Sequence, residues 1–252
     1  MGLAERFQKR DYPRLPNGFR IYAIGDVHGR ADLLQSVFSA IDADLNRSKP
    51  ERAIEVLLGD YVDRGPNSRA VLDLLIERSQ THETVCLKGN HEAIFLEALK
   101  DPTRLQDWRH YGGLFTLMSY GVTPTVNPSP EQQVALIGAL DRAVPAEHKA
   151  FLQGLATSFT CGDFFFVHAG VRPGVALEQQ REEDLLWIRD EFLASEANFG
   201  RFIVHGHTPV REPDFRANRL NIDTGAYATG RLTLVRLEGS QIGVLAFSGT
   251  ER

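Results

Sequence analysis

Five short polar clusters in this chain each follow directly on an apolar run: GDVHG at 25–29, GDYVDRG at 59–65, GNHE at 89–92, HAG at 168–170 and HGHT at 205–208. The runs before them are Ile21 to Ile24, Ala53 to Leu58, Thr84 to Leu87, Phe164 to Val167 and Arg201 to Val204, which read as strands. After the first three clusters the apolar period changes to that of a helix. Leu33, Leu34, Val37, Phe38, Ile41 and Leu45 fall on one face. Ser68 to Gln80 reads as a helix capped by Ser68, and His91 to Lys100 as a third after a Gly89-Asn90 turn. Strand, loop and helix in alternation predict an α/β fold with parallel strands and crossover helices. Ligands bind outside the carboxyl ends of the strands in such sheets, so clusters far apart in sequence are expected at one edge.

Between about 102 and 155 the pattern differs, with apolar helical faces broken at Gly112-Gly113 and Asn127-Pro128-Ser129-Pro130. This predicts a helical insertion beside the sheet, within a single domain spanning 1–252. From Leu220 to Phe247 the chain reads as short strands joined by glycine-containing turns, hence hairpins. A net charge of −5 lacks the basic excess of a duplex-binding domain, so no nucleic-acid partner is expected. Cys86 and Cys161 are too few for a disulfide framework or a thiolate cage and are expected in the core of a protein from a reducing compartment. The first residues lack the apolar segment of a signal peptide, and no uncharged stretch would span a membrane. A soluble cytoplasmic protein is expected.

The clusters supply Asp26, His28, Asp60, Asn90, His168 and His207, which are oxygen and nitrogen donors without a thiolate. Such a set suits Mn²⁺, Fe or Zn²⁺. It is larger than one ion needs if positions are to stay open for substrate, and two ions sharing a carboxylate would use it.

Taken in this order, the five motifs closely resemble those of the PPP-type metallophosphatases, the Ser/Thr phosphoprotein phosphatase family of calcineurin-like metallophosphoesterases. The short chain and the HGHT ending are most similar to bacterial and phage members. The resemblance runs from about Ile21 to Tyr227 and implies a sandwich of two mixed sheets flanked by helices. It implies a metal-dependent phosphomonoester hydrolase, a serine/threonine protein phosphatase in which a hydroxide bridging two divalent ions, Mn²⁺ first among them, attacks phosphorus in line. Carried over by motif position, it implies that Asp26 and His28 bind the first ion and Asp60 bridges both. Asn90, His168 and His207 bind the second. His91 is the general acid oriented by Asp63, and Arg64 and Asn90 bind the phosphoryl group. Leu186-Trp187-Ile188-Arg189 is similar to a Trp-x-Arg segment of the phage-type members, which adds Arg189 as a second phosphate-binding arginine on a helix.

Other readings stand beside these. Symmetrical diadenosine-tetraphosphate hydrolases resemble this scaffold but are similar to GDLVARG in the second motif, where this chain has Asp63. A binding module without catalysis is the reading from a different class, and the intact ligand set argues against it. His205 either orients its loop or binds a ligand. Asp223-Thr-Gly-Ala-Tyr227 either lines the cleft or forms a hairpin turn. His82, His110 and His148 lie outside every motif and are expected at the surface. Arg6, Lys9, Arg10, Arg14 and Arg20, interleaved with Glu5 and Asp11, are expected to form a solvated arm.

Overall fold

The computed structural model describes residues 13–249. Chain order gives β1 (Phe19–Ile24), α1 (Ala31–Arg47), β2 (Arg52–Leu57), α2 (Ser68–Thr81), β3 (Thr84–Cys86) and α3 (Asn90–Lys100). Then come α4 (Leu105–His110), α5 (Gly113–Ser119), α6 (Pro130–Ala143) and α7 (Ala146–Gln153). The second half holds β4 (Ser158–Cys161), β5 (Phe164–Val167), α8 (Glu182–Trp187), α9 (Asp190–Leu193), β6 (Phe202–His205), β7 (Asp214–Phe215) and β8 (Arg219–Asn221). It closes with α10 (Ala226–Thr229), β9 (Arg231–Glu238) and β10 (Gln241–Ser248).

The strands form two mixed five-stranded sheets, ordered β10-β9-β1-β2-β3 and β4-β5-β6-β8-β7. In the first, β1, β2 and β3 are parallel and β9 runs antiparallel to β1. In the second, β5, β6 and β8 are parallel. Side chains alternate across a strand, and these strands are apolar on both faces, so each sheet must be covered twice. Ile21, Ala23, Ile54, Val56, Val235 and Leu237 of the first sheet meet Phe164, Phe166, Val204 and Leu220 of the second in a core between the sheets. Tyr22, Ile24 and Leu57 point the other way, into a core with Leu33, Val37, Phe38, Val71, Leu75 and Phe95 of the helices. Phe165 and Ile203 turn outward to Leu185, Ile188 and Phe192. The result is the α/β/β/α sandwich that the resemblance implies.

Several sequence expectations are revised. The C-terminal run is not one set of hairpins. β8 lies in the second sheet, paired with β7, and β9 in the first, so the chain crosses between layers through Asp223–Gly230 before β9 and β10 form a hairpin. Asn67, not Ser68, is the N-cap of α2. The Ser68 hydroxyl is buried and accepts the Asp63 N–H. His148 is fully buried, its Nε2–H donating to Asp73 and its Nδ1 accepting the Tyr120 hydroxyl. His82 is half-buried and His110 exposed. Arg20 is no part of a solvated arm. It lies in β1, 1 % exposed, and bonds Glu238, Asp44 and the Ser48 carbonyl. Arg14 is exposed, and Arg6, Lys9 and Arg10 lie outside the described residues. Cys161 is buried, while Cys86 is half-buried against the helix-side core.

Candidate metal centre and active site

The parallel strands of both sheets deliver their carboxyl ends to one edge. Asp26 and His28 follow β1, Asp60 follows β2, Asn90 and His91 open α3 after β3, His168 follows β5 and His207 follows β6. Two of these loops approach so closely that only glycine fits. A Cβ on Gly206 would sit 2.0 Å from Asp26 Oδ1, across the gap between the sheets. Turning sharply off strand ends strains the backbone. Of the six non-glycine residues with positive φ among the described residues, five are His28, Asp60, Asp63, Arg64 and His207. Each costs about 1–3 kcal/mol and persists only where its surroundings over-determine it.

Asp60 lies at the middle of two groups of donors. His28, Asp60 and His91 bring ligand atoms within 4.8 Å of one another, as do Asp60, His168 and His207. Its Oδ2 is 3.3 Å from His28 Nε2, and its Oδ1 is 3.4 Å from His168 Nε2. On the second side Asn90 Oδ1 lies 3.0 Å from both His168 Nε2 and His207 Nδ1. Those two ring nitrogens are 3.1 Å apart. Separations of this size are the edges of a coordination shell with ligands at ~2.0–2.1 Å. The ring tautomers agree. His28 Nδ1–H donates to the Val62 carbonyl and His168 Nδ1–H to the Leu58 carbonyl, each at 2.9 Å. Both Nε2 lone pairs therefore face inward, as metal ligands require. Burial pushes His168 down and takes His207 to about 2, which keeps both neutral.

Charge makes the same case for cations. Asp26, Asp60 and Asp223 are buried together. Burial and the carboxylates of Asp223 and Asp60 push Asp26 well above the usual range. Its Oδ2 accepts the His207 N–H, while its Oδ1 is buried with no protein partner. Burial opposes ionisation of Asp60 too, and only positive charge on the facing rings of His168, His91 and His28 would hold it well below the usual range. Three such acids cannot all ionise without positive charge among them. Divalent ions supply it, so the residues fit the metals.

Beside the donors, His91 is fully buried and gives its Nδ1–H to Asp63 Oδ2 at 2.8 Å. Its Nε2 has no partner and lies 3.8 Å from Asp60 Oδ2. Arg64 is half-buried, with Nη1 3.3 Å from His28 Nε2 and its guanidinium 5.0 Å above the Tyr227 ring. Arg189 is exposed in the link between α8 and α9, not on a helix, and its charge is felt at His207. His205 stands outside both donor groups. Its ring packs edge-on against Phe192 at 4.9 Å, and Nδ1 meets the Gly206 carbonyl. The Asp223–Tyr227 segment lines the cleft, with Tyr227 5.3 Å from the His28 ring.

Sequence reasoning passed over four contributors. Glu92, quoted within GNHE but given no role, accepts the backbone N–H groups of Asp60, Tyr61, Val62 and Gly89. It thereby shapes the loop that carries Asp60. Trp108 and Thr116, from the helical insertion, both donate to Asp63. Tyr111 sets its ring edge-on to His91 at 5.9 Å. Only the Glu92 bond to the Gly89 N–H had a local signal, an acid three residues past a glycine N-cap.

Residues 19–237 match the family model described as calcineurin-like phosphoesterase. The chain is 27% identical over 226 residues to serine/threonine-protein phosphatase 2 of Escherichia coli K12, covering 86% of this chain and 93% of that protein. It is 26% identical over 238 residues to an asymmetrical bis(5'-nucleosyl)-tetraphosphatase of Halalkalibacterium halodurans, covering 84% and 88%. Among solved structures, that of a candidate diadenosine tetraphosphatase superposes with a TM-score of 0.66 at 20% identity, covering 95% of this chain and 100% of the other. At that identity the likeness speaks for the fold.

Proposed function

The chain belongs to the calcineurin-like phosphoesterase family, and from that premise we propose that it hydrolyses phosphomonoesters, above all phosphoserine and phosphothreonine in proteins. Asp26 and His28 would hold one divalent ion, Asn90, His168 and His207 the other, and Asp60 would serve both. The carrying observation is Asp60 itself, whose two oxygens face two separate histidine groups. Oxygen and nitrogen donors without thiolate suit Mn²⁺ first, with Fe and Zn²⁺ next. Bound there, the ions supply Lewis-acid stabilisation and an activated water.

The side chains around them do the rest. Arg64, with Arg189 and the Asn90 amide, binds the phosphoryl oxygens and their developing charge. His91 has its Nδ1–H fixed on Asp63, which leaves Nε2 to carry the proton that the departing serine or threonine oxygen needs. Free thiols at Cys86 and Cys161 suit a reducing compartment, and we place the enzyme in the cytoplasm.

One observation favours a second reading. A cavity of about 390 Å³ opens beside the centre, lined in part by Tyr111 and Trp187, and aromatic faces of this kind stack nucleobases. A dinucleoside tetraphosphate could use it. The same cavity, however, is lined by Glu97 and Asp107, and Arg104 reaches Asp107 at 3.8 Å. Arg104 and His110 also line it, and with Arg104 offsetting one of the two carboxylates the wall has no excess positive charge to hold a polyphosphate, so the phosphoprotein reading comes first. The test is kcat/KM for phosphoserine and phosphothreonine peptides against diadenosine tetraphosphate, with one metal and one pH. Higher values are expected for the peptides. A dinucleotide value ~10-fold above the best peptide, about 1.4 kcal/mol of transition-state preference, would overturn the substrate and leave the metal chemistry standing.

A further inference from the structure

The helical insertion does more than lie beside the sheet. We infer that the α4–α5 pair is the positioning element for His91, with Trp108 and Thr116 as the residues that carry it. This rests on the reading that His91 protonates the leaving oxygen.

Asp63 is completely enclosed, and three side chains donate to its two oxygens. Its Oδ2 takes His91 Nδ1–H at 2.8 Å and Trp108 Nε1–H at 3.0 Å. Its Oδ1 takes the Thr116 hydroxyl at 2.6 Å. The Thr116 oxygen in turn accepts the Asp63 backbone N–H at 2.9 Å and lies 3.0 Å from Ser68 Oγ. One threonine therefore holds Asp63 by carboxylate and backbone together. Asp63 and Arg64 are consecutive residues with φ of 68° and 64°, a conformation that side chains rarely adopt. The Arg64 N–H is held by the Gly112 carbonyl, also in the α4–α5 turn, at 3.3 Å.

The indole cannot drift independently of His91. Trp108 is fully buried and stacks on Phe95 at 5.2 Å, with the rings 18° apart. Phe95 lies one turn after His91 on α3. Helix α3, Phe95, Trp108, Asp63 and His91 thus form a closed circuit. Each bond in it restricts the imidazole's plane and tautomer. A carboxylate with two neutral donors removed could swing away or lose its hold on the ring, and Nε2 would lose its aim.

A contact that only stabilised the fold would weaken every reaction alike. A positioning contact weakens the reaction that needs the proton. Trp108→Phe, Thr116→Val and Thr116→Ser are therefore compared with His91→Asn on a phosphoserine peptide and on an aryl phosphate, whose leaving group hardly needs a proton. His91→Asn should lose roughly 10²–10⁴ in kcat on the peptide and far less on the aryl ester. Trp108→Phe and Thr116→Val should lose about 10–100-fold on the peptide, the scale of one hydrogen bond to a charged group, and under ~3-fold on the aryl ester. KM and metal content should hold, and Thr116→Ser, which keeps the hydroxyl, should recover most of the peptide rate. Equal losses on both esters, or a valine variant that matches the serine one, would overturn the inference while a selective His91→Asn effect keeps the general-acid reading. A His91→Asn variant that loses equally on both esters would overturn that reading and this inference with it. Thr116→Val is nearly isosteric, so it decides the matter even if Trp108→Phe does not fold.

Discussion

In the proposed centre Asp60 carries the most, because its two oxygens face different histidines. Replacing it with asparagine keeps the shape and removes the charge that both proposed ions would share. Elemental analysis should find about two ions per chain in the parent protein. In Asp60→Asn both should weaken together, by at least the 10–100-fold typical of disturbing a metal's supporting ligands. His28→Ala and His207→Ala should each weaken one ion. Loss of a single ion in Asp60→Asn would deny it the bridging position. Arg64 invites a different test. Its planar fork lies over Tyr227 and beside His28, a setting in which lysine is not a conservative replacement. Arg64→Lys keeps the charge and the left-handed backbone cost, so it isolates the fork. It should cost about 10–100-fold in kcat/KM on a phosphopeptide, the scale of one or two charge-assisted hydrogen bonds. A loss under ~2-fold would place the phosphate elsewhere.

Among the elements, loops hold the tightest tolerances. A Cβ on Gly65 would lie 1.9 Å from the His28 carbonyl oxygen, a backbone atom that cannot yield without moving the loop that carries His28. At Gly174 φ is +78° and nothing lies within 4 Å. Gly174→Ala should therefore cost only the left-handed penalty, about 1 kcal/mol. Gly65→Ala should cost about 1–3 kcal/mol of overpacking and should also lower metal affinity. Denaturant unfolding of both variants, with and without metal, checks the contrast. This difference in tolerance also bears on what the sequence discloses. The donors at Asp26, His28, Asp60, Asn90, His168 and His207 are legible because each stands in a short motif next to its own strand. The two-sheet division is not. β8 and β9 look alike in sequence, and only pairing with β6 or with β1 separates them. Arg20 reads as one more arm residue until Glu238, 218 positions away, is beside it. His148 is buried because Tyr120 and Asp73 satisfy both ring nitrogens. Trp108 and Thr116 belong to a segment with no motif, and their role comes from Asp63, 45 and 53 residues away. Local patterns reveal what strand ends carry, and long-range partners decide what they are held by.

Over the whole molecule, two sets of charges oppose each other as pH changes. The first ties α1 to the first sheet. Arg20 joins Asp44 to Glu238, Arg236 bonds both acids, and Arg78 joins Asp42 to Glu55. The bond from Arg78 holds Asp42 below its ordinary 3.8, and the bond from Arg20 holds Glu238 below 4.5. Burial would raise Asp44, but Tyr22 and Arg236 bring it below 3.8. Acids lowered by folding contribute stability above their unfolded values and lose it as pH falls through the folded ones. This loss therefore begins near pH 4.5 and continues below it. The second set surrounds the metal centre. Burial, and then the charge of Asp60, raises Glu92 to about 7, and burial raises Asp26 and Asp223 as well. An acid raised by folding has the opposite sign. Without metal, its penalty is full above pH 7 and is relieved as pH falls from 7 toward 4.5. The buried histidines oppose this relief, because His207, held down at about 2, and His205, at about 3, refuse protons that the unfolded chain binds below about 6.5. Metal-free protein should thus have its highest unfolding temperature near pH 6.5, with a decline on both sides. Saturating Mn²⁺ binds only the folded chain and supplies the charge that the acids lack, so it should stabilise most where they are ionised. The maximum should then move above pH 7. Arg20→Met should soften the acid limb in both forms and leave the alkaline limb of the metal-free form unchanged. Unfolding temperatures from pH 3 to pH 9, with chelator and with Mn²⁺, test each sign separately. A metal-free protein more stable at pH 9 than at pH 6.5, above the range in which the histidines titrate, would show that the buried acids of the centre are balanced by protein charges alone, and would remove the electrostatic case for the ions.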